Sequence, residues 1–166
     1  MKLCGIEMDS IVDGPGIRMS IFFQGCPHHC EGCQNPETWD YDNANIEMSV
    51  SEVLKLFDSD KILSGVTLSG GEPLSPRNFN EIIELVKEIK KRNKSVWVYT
   101  GYTMEEILEK YPNLRDDLLP YVDIIVDGPF ILSKKNLLIS FRGSENQRLI
   151  DVQRYLKGDK DFILKR

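Results

Sequence analysis

Three of the four cysteines in this 166-residue chain lie within residues 26–33. Cys26, Cys30 and Cys33 have the spacing C-x3-C-x2-C, so one short loop carries three thiols. Thiolates bind soft metals and iron–sulfur clusters, and a complete cluster site uses four protein ligands. Three cysteines leave such a site one ligand short. This shortfall constrains the chain most, because the fold must hold the loop where another molecule can supply the missing ligand.

A structural zinc site is the main alternative explanation for these cysteines. Zinc sites usually take ligands from two separated pairs, whereas here all three thiols lie in one loop. The fourth ligand would have to be His28, His29 or the distant Cys4. Both histidines are placed between ligating cysteines, and a lone cysteine near the N-terminus is most often a small buried hydrophobe. The spacing therefore favours a cluster in which one iron keeps an open coordination position.

The length and composition indicate one soluble globular domain that spans residues 1–166. Hydrophobic residues make up 41% and charged residues 28% of the chain, a balance typical of such domains. The net charge of −5 argues against nucleic acid or an anionic membrane as a partner, since both attract a basic surface. The sequence shows no membrane-spanning apolar run and no signal peptide. We therefore expect a cytoplasmic protein, in which cysteines stay reduced.

Hydrophobic periodicity predicts alternating strands and helices after residue 17, whereas residues 1–17 carry few periodic signals. Strands are predicted over residues 18–24, 66–69, 95–100 and 122–126. Capping residues predict where the three intervening helices begin, namely Ser49 with Glu52, Ser75 with Pro76, and Thr103 with Glu106. Residues 137–141 and 148–152 are two further strand candidates, on either side of a polar turn at residues 143–146.

This order of elements predicts an α/β fold with a mainly parallel sheet and right-handed crossovers. In such sheets the functional site forms beyond the carboxyl ends of the strands. Each predicted strand is followed at once by an unusual segment, and these are the cysteine loop, Gly70-Gly71-Glu72, Thr100-Gly101-Tyr102 and Asp127-Gly128-Pro129. We therefore expect four loops that are distant in sequence to share one edge of the sheet.

The cysteine spacing, followed by Gly70-Gly71-Glu72 at a strand end, resembles the radical S-adenosylmethionine superfamily. Residues 13–18, 34–40, 70–73 and 127–130 resemble the glycyl-radical-enzyme activases. The short length and residues 141–148 resemble one branch, the activating proteins of the anaerobic (class III) ribonucleoside-triphosphate reductase. This resemblance covers nearly the whole chain. It implies a partial, open parallel β/α barrel of the radical S-adenosylmethionine type, because a closed eight-unit barrel needs roughly 250 residues.

The resemblance implies the following mechanism. Cys26, Cys30 and Cys33 hold a [4Fe-4S] cluster, and S-adenosylmethionine chelates the fourth iron through its amino and carboxylate groups. A one-electron donor such as flavodoxin reduces the cluster, and the electron cleaves the sulfonium C–S bond. The products are methionine and a 5′-deoxyadenosyl radical. That radical removes a Cα hydrogen from a glycine of the partner reductase, which then stores a glycyl radical.

The residues around the cysteines fit this chemistry. Gly70 and Gly71 allow the backbone to approach a ligand closely, although a tight turn also explains them. Glu72 offers a carboxylate to the ligand's ammonium group. Gly32 and Gln34 flank the last cysteine and are placed to contact the ligand or the cluster sulfurs.

Two further candidate residues have equally good structural explanations. Thr100 is a candidate contact for the methionine or ribose part of the ligand, or a half-buried strand threonine. Asp127 is a candidate for orienting the ligand or binding a cation, or the start of an Asx turn. Arg142 and residues 143–148 are candidate partner contacts, but the sequence favours a solvated hairpin turn.

Two other functions remain open. The chain is either a different radical enzyme, such as a pyruvate formate-lyase activase, or a non-catalytic zinc or cluster module. The usual formate-lyase activase is longer, so the length and residues 142–148 count against it. About four irons per chain would favour the cluster over zinc.

Overall fold

Four parallel strands form the centre of the sheet in the computed structural model, which describes residues 1–165. Within these residues, eight strands are ordered β3-β1-β2-β4-β5-β6-β7-β8. The strands are β1 Lys2–Ser10, β2 Arg18–Phe23, β3 Ile46–Glu47, β4 Gly65–Gly70, β5 Ser95–Tyr99, β6 Ile124–Asp127, β7 Arg148–Asp151 and β8 Ile163–Leu164. The helices are α1 Val50–Asp58, α2 Phe79–Lys91, α3 Met104–Lys110, α4 Leu114–Asp117 and α5 Val152–Leu156.

The parallel order predicted from the sequence is confirmed for the centre of the sheet only. Strand β2 pairs with β4, β4 with β5, and β5 with β6, all in parallel. On the outer sides, β1 pairs antiparallel with both β2 and β3, and β7 pairs antiparallel with both β6 and β8. The fold is therefore α/β with a mixed sheet. The prediction of a mainly parallel sheet holds for the four central strands and not for the four outer ones. Parallel pairing needs a long crossover connection, and among the described residues no α-helix joins β1 to β2 or β6 to β7. Helix α5 lies between β7 and β8 but is only five residues long.

Two helix starts follow the predicted capping chemistry. The Ser49 hydroxyl accepts a hydrogen bond from the Glu52 amide at 3.1 Å, and the Glu52 carboxylate accepts one from the Ser49 amide at 3.2 Å. Thr103 and Glu106 form the same reciprocal pair ahead of α3. The third prediction was wrong in detail: Ser75 makes no side-chain cap. A short 3-10 turn at Pro76–Asn78 separates it from α2.

Two strand assignments needed correction. Strand β1 lies within residues 1–17, where the sequence carries few periodic signals, because its residues do not alternate cleanly between buried and exposed. The predicted strand at residues 137–141 was wrong. Leu137 and Leu138 are exposed there and belong to turns, since apolar residues form a strand only where a neighbouring strand pairs with them. The candidate at residues 148–152 was correct as β7.

The main hydrophobic core lies between the helices and one face of the sheet. Val98 of β5, Ile125 of β6 and Ile150 of β7 point into it, together with Ile82 and Val86 of α2. The intervening residues point to the opposite face and form a smaller cluster, which contains Trp97, Ile124, Val126 and Leu149. That second face also carries buried polar residues, and it leads to the loops at the carboxyl ends of the parallel strands. Within residues 1–165, every helix is too short or too polar to cross a membrane.

Candidate active site

The predicted convergence of loops at one edge of the sheet is confirmed by a cavity of about 150 Å³. Cys26, Cys30 and Cys33 all line it. Opposite them stand Gly70 and Gly71, which end β4 and begin the next loop. The remaining lining residues come from the ends of β4 and β5, from the loops after β2, β5 and β6, and from the segment before β7: His28, Ser69, Tyr99, Thr100, Gly101, Gly128, Phe130 and Gln147.

A larger cavity of about 410 Å³ adjoins the first one. Both cavities are lined by Cys33, Ser69, Tyr99, Phe130 and Gln147. The larger cavity extends away from the cysteines towards the exposed surface. A molecule bound beside the thiols would therefore face a second, roomier space.

The three thiols line a shared cavity instead of surrounding one point. Among residues 1–165, no group of three or more His, Cys, Asp or Glu side chains is arranged to hold a single metal ion. A four-iron cluster suits this wider placement, because each thiolate binds a different iron. Burial raises the pKa of the Cys26 thiol to about 11, and the Glu72 charge adds to the effect, while backbone hydrogen bonds oppose it. Cys26 must therefore lose a proton when it becomes a ligand.

Gly70 and Gly71 bring the loop after β4 against the cysteine loop. Gly70 has a φ of +87°, and a Cβ there would lie 2.6 Å from the Phe23 amide nitrogen. A Cβ on Gly71 would lie 2.4 Å from the Gly25 carbonyl oxygen. The close approach that glycine permits is therefore, in the first place, an approach to the protein's own backbone. In the same contact, the Glu72 amide donates a hydrogen bond to the Gly25 carbonyl at 2.8 Å.

Glu72 is fully buried, and its carboxylate accepts four hydrogen bonds. The Thr100 hydroxyl donates to one oxygen at 2.9 Å, and the Leu74 amide donates to the same oxygen at 2.9 Å. The Gly101 amide donates to the other oxygen at 2.8 Å, and His28 Nε2 lies 2.5 Å from it. The carboxylate therefore lies behind the cavity wall. Its neighbours Thr100 and His28 form part of that wall.

Asp127 lies outside the lining of both cavities. It is buried, and it accepts a hydrogen bond from the Met104 amide at the start of α3 at 2.8 Å. Its two oxygens also accept hydrogen bonds from Arg148, at 2.9 and 2.5 Å. Arg148 in turn binds Glu105. The structure thus gives Asp127 a role in joining β6, β7 and α3.

The two residues that flank the last cysteine have different positions. Gln34 lines the larger cavity. Gly32 lines neither cavity and has a φ of +74°, and a Cβ there would lie 2.8 Å from a methyl group of Leu132. Gly32 is therefore placed to shape the cysteine loop. The ring of His29 stacks on Trp39, with the ring centroids 4.4 Å apart, whereas His28 contacts Glu72.

Four residues that line both cavities were not predicted from the sequence as cavity residues, namely Ser69, Tyr99, Phe130 and Gln147. Gln147 lies in the stretch that was predicted as a candidate partner contact. Tyr99 donates a hydrogen bond from its hydroxyl to the Phe141 carbonyl at 2.7 Å, and burial raises its pKa. Gln147 accepts hydrogen bonds from the Gly143 and Ser144 amides and so closes the predicted polar turn. Phe130 follows Asp127-Gly128-Pro129 directly. The sequence offered two signals for Phe130, its position just after a strand and its place in the resembling stretch 127–130, but aromatic residues are usually assigned to the core.

Comparison with known proteins gives the chain a family. Residues 12–150 match the family described as a 4Fe-4S single cluster domain. This match supports the iron–sulfur prediction over the zinc alternative.

Several similar proteins carry the same name, anaerobic ribonucleoside-triphosphate reductase-activating protein. The one from Enterobacteria phage T4 is 41% identical over 143 residues, which cover 83% of this chain and 86% of the relative. The Vibrio cholerae protein is 37% identical over 142 residues, covering 82% and 89%. The Escherichia coli K12 protein is 35% identical over 142 residues, covering 82% and 90%. With three thiols on one cavity and this similarity over most of its length, the chain belongs to the family of anaerobic ribonucleoside-triphosphate reductase-activating proteins.

Proposed function

We propose that this protein cleaves S-adenosylmethionine reductively and generates a glycyl radical on an anaerobic ribonucleoside-triphosphate reductase. One observation carries the proposal: three thiols, without a fourth, share a cavity with Gly70, Gly71 and the hydroxyl-bearing Thr100. The names of the relatives supply the partner. We further propose that residues 1–166 form one domain, and that its sheet is a partial barrel of the radical S-adenosylmethionine type. The parallel centre and the site at its carboxyl edge support this assignment.

Cys26, Cys30 and Cys33 hold a [4Fe-4S] cluster, which supplies a single electron to the bound sulfonium when reduced. The residues of the cavity wall orient that substrate. Thr100 and His28 line the cavity, and Glu72 fixes both side chains from behind. Glu72 therefore acts as a positioning residue in this arrangement. Its negative charge favours a cation, such as the substrate's ammonium group, on the far side of His28 and Thr100.

The two adjoining cavities accommodate the two substrates of the reaction. S-adenosylmethionine binds at the cluster beside the thiols and extends into the larger cavity, and the glycine of the reductase enters that cavity from its mouth. The space beside the thiols is about 150 Å³ and must also hold the cluster, so it is too small for the whole substrate. Phe130 and Gln147 line both spaces and therefore contact both molecules. Keeping the space enclosed matters, because a reactive carbon radical must meet the glycine before it meets any other hydrogen donor.

The electron donor and the cellular location follow as further proposals. The reaction consumes one electron for each radical formed, so a one-electron carrier such as flavodoxin is the donor expected. A cytoplasmic location fits a cavity with three reduced thiols, because an oxidising compartment would pair them.

The cysteines allow a matched experiment. We expect Cys30→Ser protein to lose most of its iron after anaerobic reconstitution and to form no 5′-deoxyadenosine. Cys4→Ser protein should keep about four irons per chain and full cleavage, because Cys4 lies apart from the cavity and contacts Asn45. The glycyl radical should appear by EPR on the reductase and not on pyruvate formate-lyase. One bound zinc ion, or cleavage by the Cys30→Ser protein, would overturn the proposal.

A further inference from the structure

The mouth of the larger cavity is bordered by apolar side chains that face solvent. Val12 and Leu137 both line that cavity, yet they are 68% and 79% exposed. Leu138 follows Leu137 and is 93% exposed, and Ile11 precedes Val12 and is also exposed. Large apolar side chains grouped at one place on a surface commonly mark a site of protein–protein contact.

The longer of the two bordering segments, residues 131–144, is held in a defined shape despite this exposure. We name it the rim segment. Lys135 and Ser144 form a bridge across its base, and the Glu145 amide donates to the Lys134 carbonyl at 2.9 Å. The Asn136 side chain accepts a hydrogen bond from the Leu138 amide at 2.8 Å. Leu137 and Leu138 are therefore presented on a preorganised loop, which loses little conformational entropy when it binds.

The rim segment differs in charge from the rest of the chain. It contains three basic residues, Lys134, Lys135 and Arg142, and no Asp or Glu. The chain as a whole has 26 acidic and 21 basic residues. Lys134 and Lys135 are exposed next to Leu137 and Leu138. The complementary surface on a partner is therefore apolar at its centre and acidic at its border.

We propose that the rim segment docks onto an apolar, acid-bordered surface of the reductase, around the segment that carries its radical-forming glycine. This inference rests on the proposed function and adds the recognition surface. The identity of the partner follows from the position of the rim segment, which borders the cavity that extends to Cys33. A peptide segment of the reductase that enters this cavity must pass Leu137 and Val12. Leu138 and Lys135 then lie beside the entry path without lining either cavity.

Leu138→Ser and Lys135→Glu test the proposal in the reconstituted full-length protein. We expect each variant to bind the purified reductase about tenfold more weakly by anaerobic biolayer interferometry, since each loses one apolar or charged contact. The reductase concentration that gives half-maximal glycyl radical formation should rise to the same extent. Formation of 5′-deoxyadenosine without the reductase should stay at the wild-type rate, because neither residue lines a cavity.

Ile62→Ser and Lys61→Glu provide matched controls. Both residues are exposed and precede β4, so they lie at the opposite edge of the sheet from the cavities. We expect both control variants to bind the reductase as the wild type does. Equal affinity of Leu138→Ser, Lys135→Glu and wild type, in protein that cleaves S-adenosylmethionine, would overturn the docking inference alone. Sedimentation velocity tests self-association. If the wild type is a dimer, Leu138→Ser is a monomer, and both bind the reductase equally well, the rim segment is a self-association surface and the docking inference is wrong. Absence of cleavage by the wild type would overturn the proposed function instead.

Discussion

Glu72 shows how one residue can serve a site that it does not touch. Its carboxylate is fully buried and accepts hydrogen bonds from two backbone amides and the Thr100 hydroxyl. The fourth partner, His28, is the only one that comes from the cysteine loop. His28 also packs against Tyr102, with a ring distance of 4.5 Å. The ring of His28 therefore joins the cysteine loop to Glu72 and fixes the position of both relative to the cavity.

His28→Phe protein is expected to bind S-adenosylmethionine about tenfold more weakly, because Glu72 loses a partner and the cavity wall loses its support. Titration of the reconstituted protein, with the EPR spectrum of the reduced cluster as the second readout, measures the effect. His28→Gln keeps a side-chain donor and should recover part of the affinity. The same Kd and the same spectrum for His28→Phe and wild type would contradict this role.

At the residue scale, the grouping of the three cysteines was easier to predict from the sequence than their surroundings. Their spacing is local information, and the structure places all three on one cavity. The contacts of Glu72 and of Gly71 were not predictable, because His28, Gly25 and Thr100 are distant from them in sequence. Asp127 was given a possible site role for the same reason, since its partner Arg148 belongs to a strand that pairs only in the folded sheet.

At the scale of the elements, one buried side chain joins β2 to its neighbours. Arg18, at the start of β2, is fully buried. Its guanidinium donates to Thr67 of β4 at 2.8 Å and to the Ser95 hydroxyl of β5 at 2.7 Å. Further hydrogen bonds reach the carbonyls of Pro15 and Val66. Burial lowers its pKa to about 10, so the hydrogen bonds must offset the cost of holding this charge away from water.

Arg18→Lys should lower the free energy of unfolding by about 2–3 kcal/mol, because a lysine cannot reproduce the planar set of donors and leaves buried acceptors unpaired. Urea denaturation measures the change. Arg115→Lys, at an exposed position, should stay within about 0.5 kcal/mol of the wild type. A loss at Arg18 no larger than that at Arg115 would show that the cross-strand hydrogen bonds contribute little.

The element predictions succeeded where burial was continuous. Strand β2 and strands β4 to β6 are almost wholly buried, and their apolar runs identified them. Strand β1 has a mixed burial pattern, and residues 137–141 are apolar but largely exposed. Neither could be assigned correctly, because the tertiary partner of a segment decides which of its residues are covered.

At the scale of the whole molecule, the two cavities lie side by side and share one wall. Phe130 lines both, and it also borders a third hollow with Glu31 and Leu132. In the proposed reaction, this ring limits the path between the site of radical formation and the glycine. In that reaction, the packing of this one aromatic side chain would couple cleavage to transfer.

Phe130→Ala should widen that path and raise the ratio of 5′-deoxyadenosine to glycyl radical severalfold, because water and other hydrogen donors gain access. Chromatography of the nucleoside and EPR spin counting on the reductase give the ratio. Phe162→Ala, which removes a ring packed on Tyr155 next to the edge strand β8, should leave the ratio unchanged. Equal ratios for Phe130→Ala and wild type would remove Phe130 from this role.

The hydrogen bond from the Glu72 amide to the Gly25 carbonyl has a consequence for how the protein responds to oxygen. In the proposed reaction, it joins the loop that would hold the cluster to the residue that would position the substrate. Oxidative loss of the cluster would then also loosen the wall against which S-adenosylmethionine binds. The air-damaged protein would release S-adenosylmethionine without cleaving it.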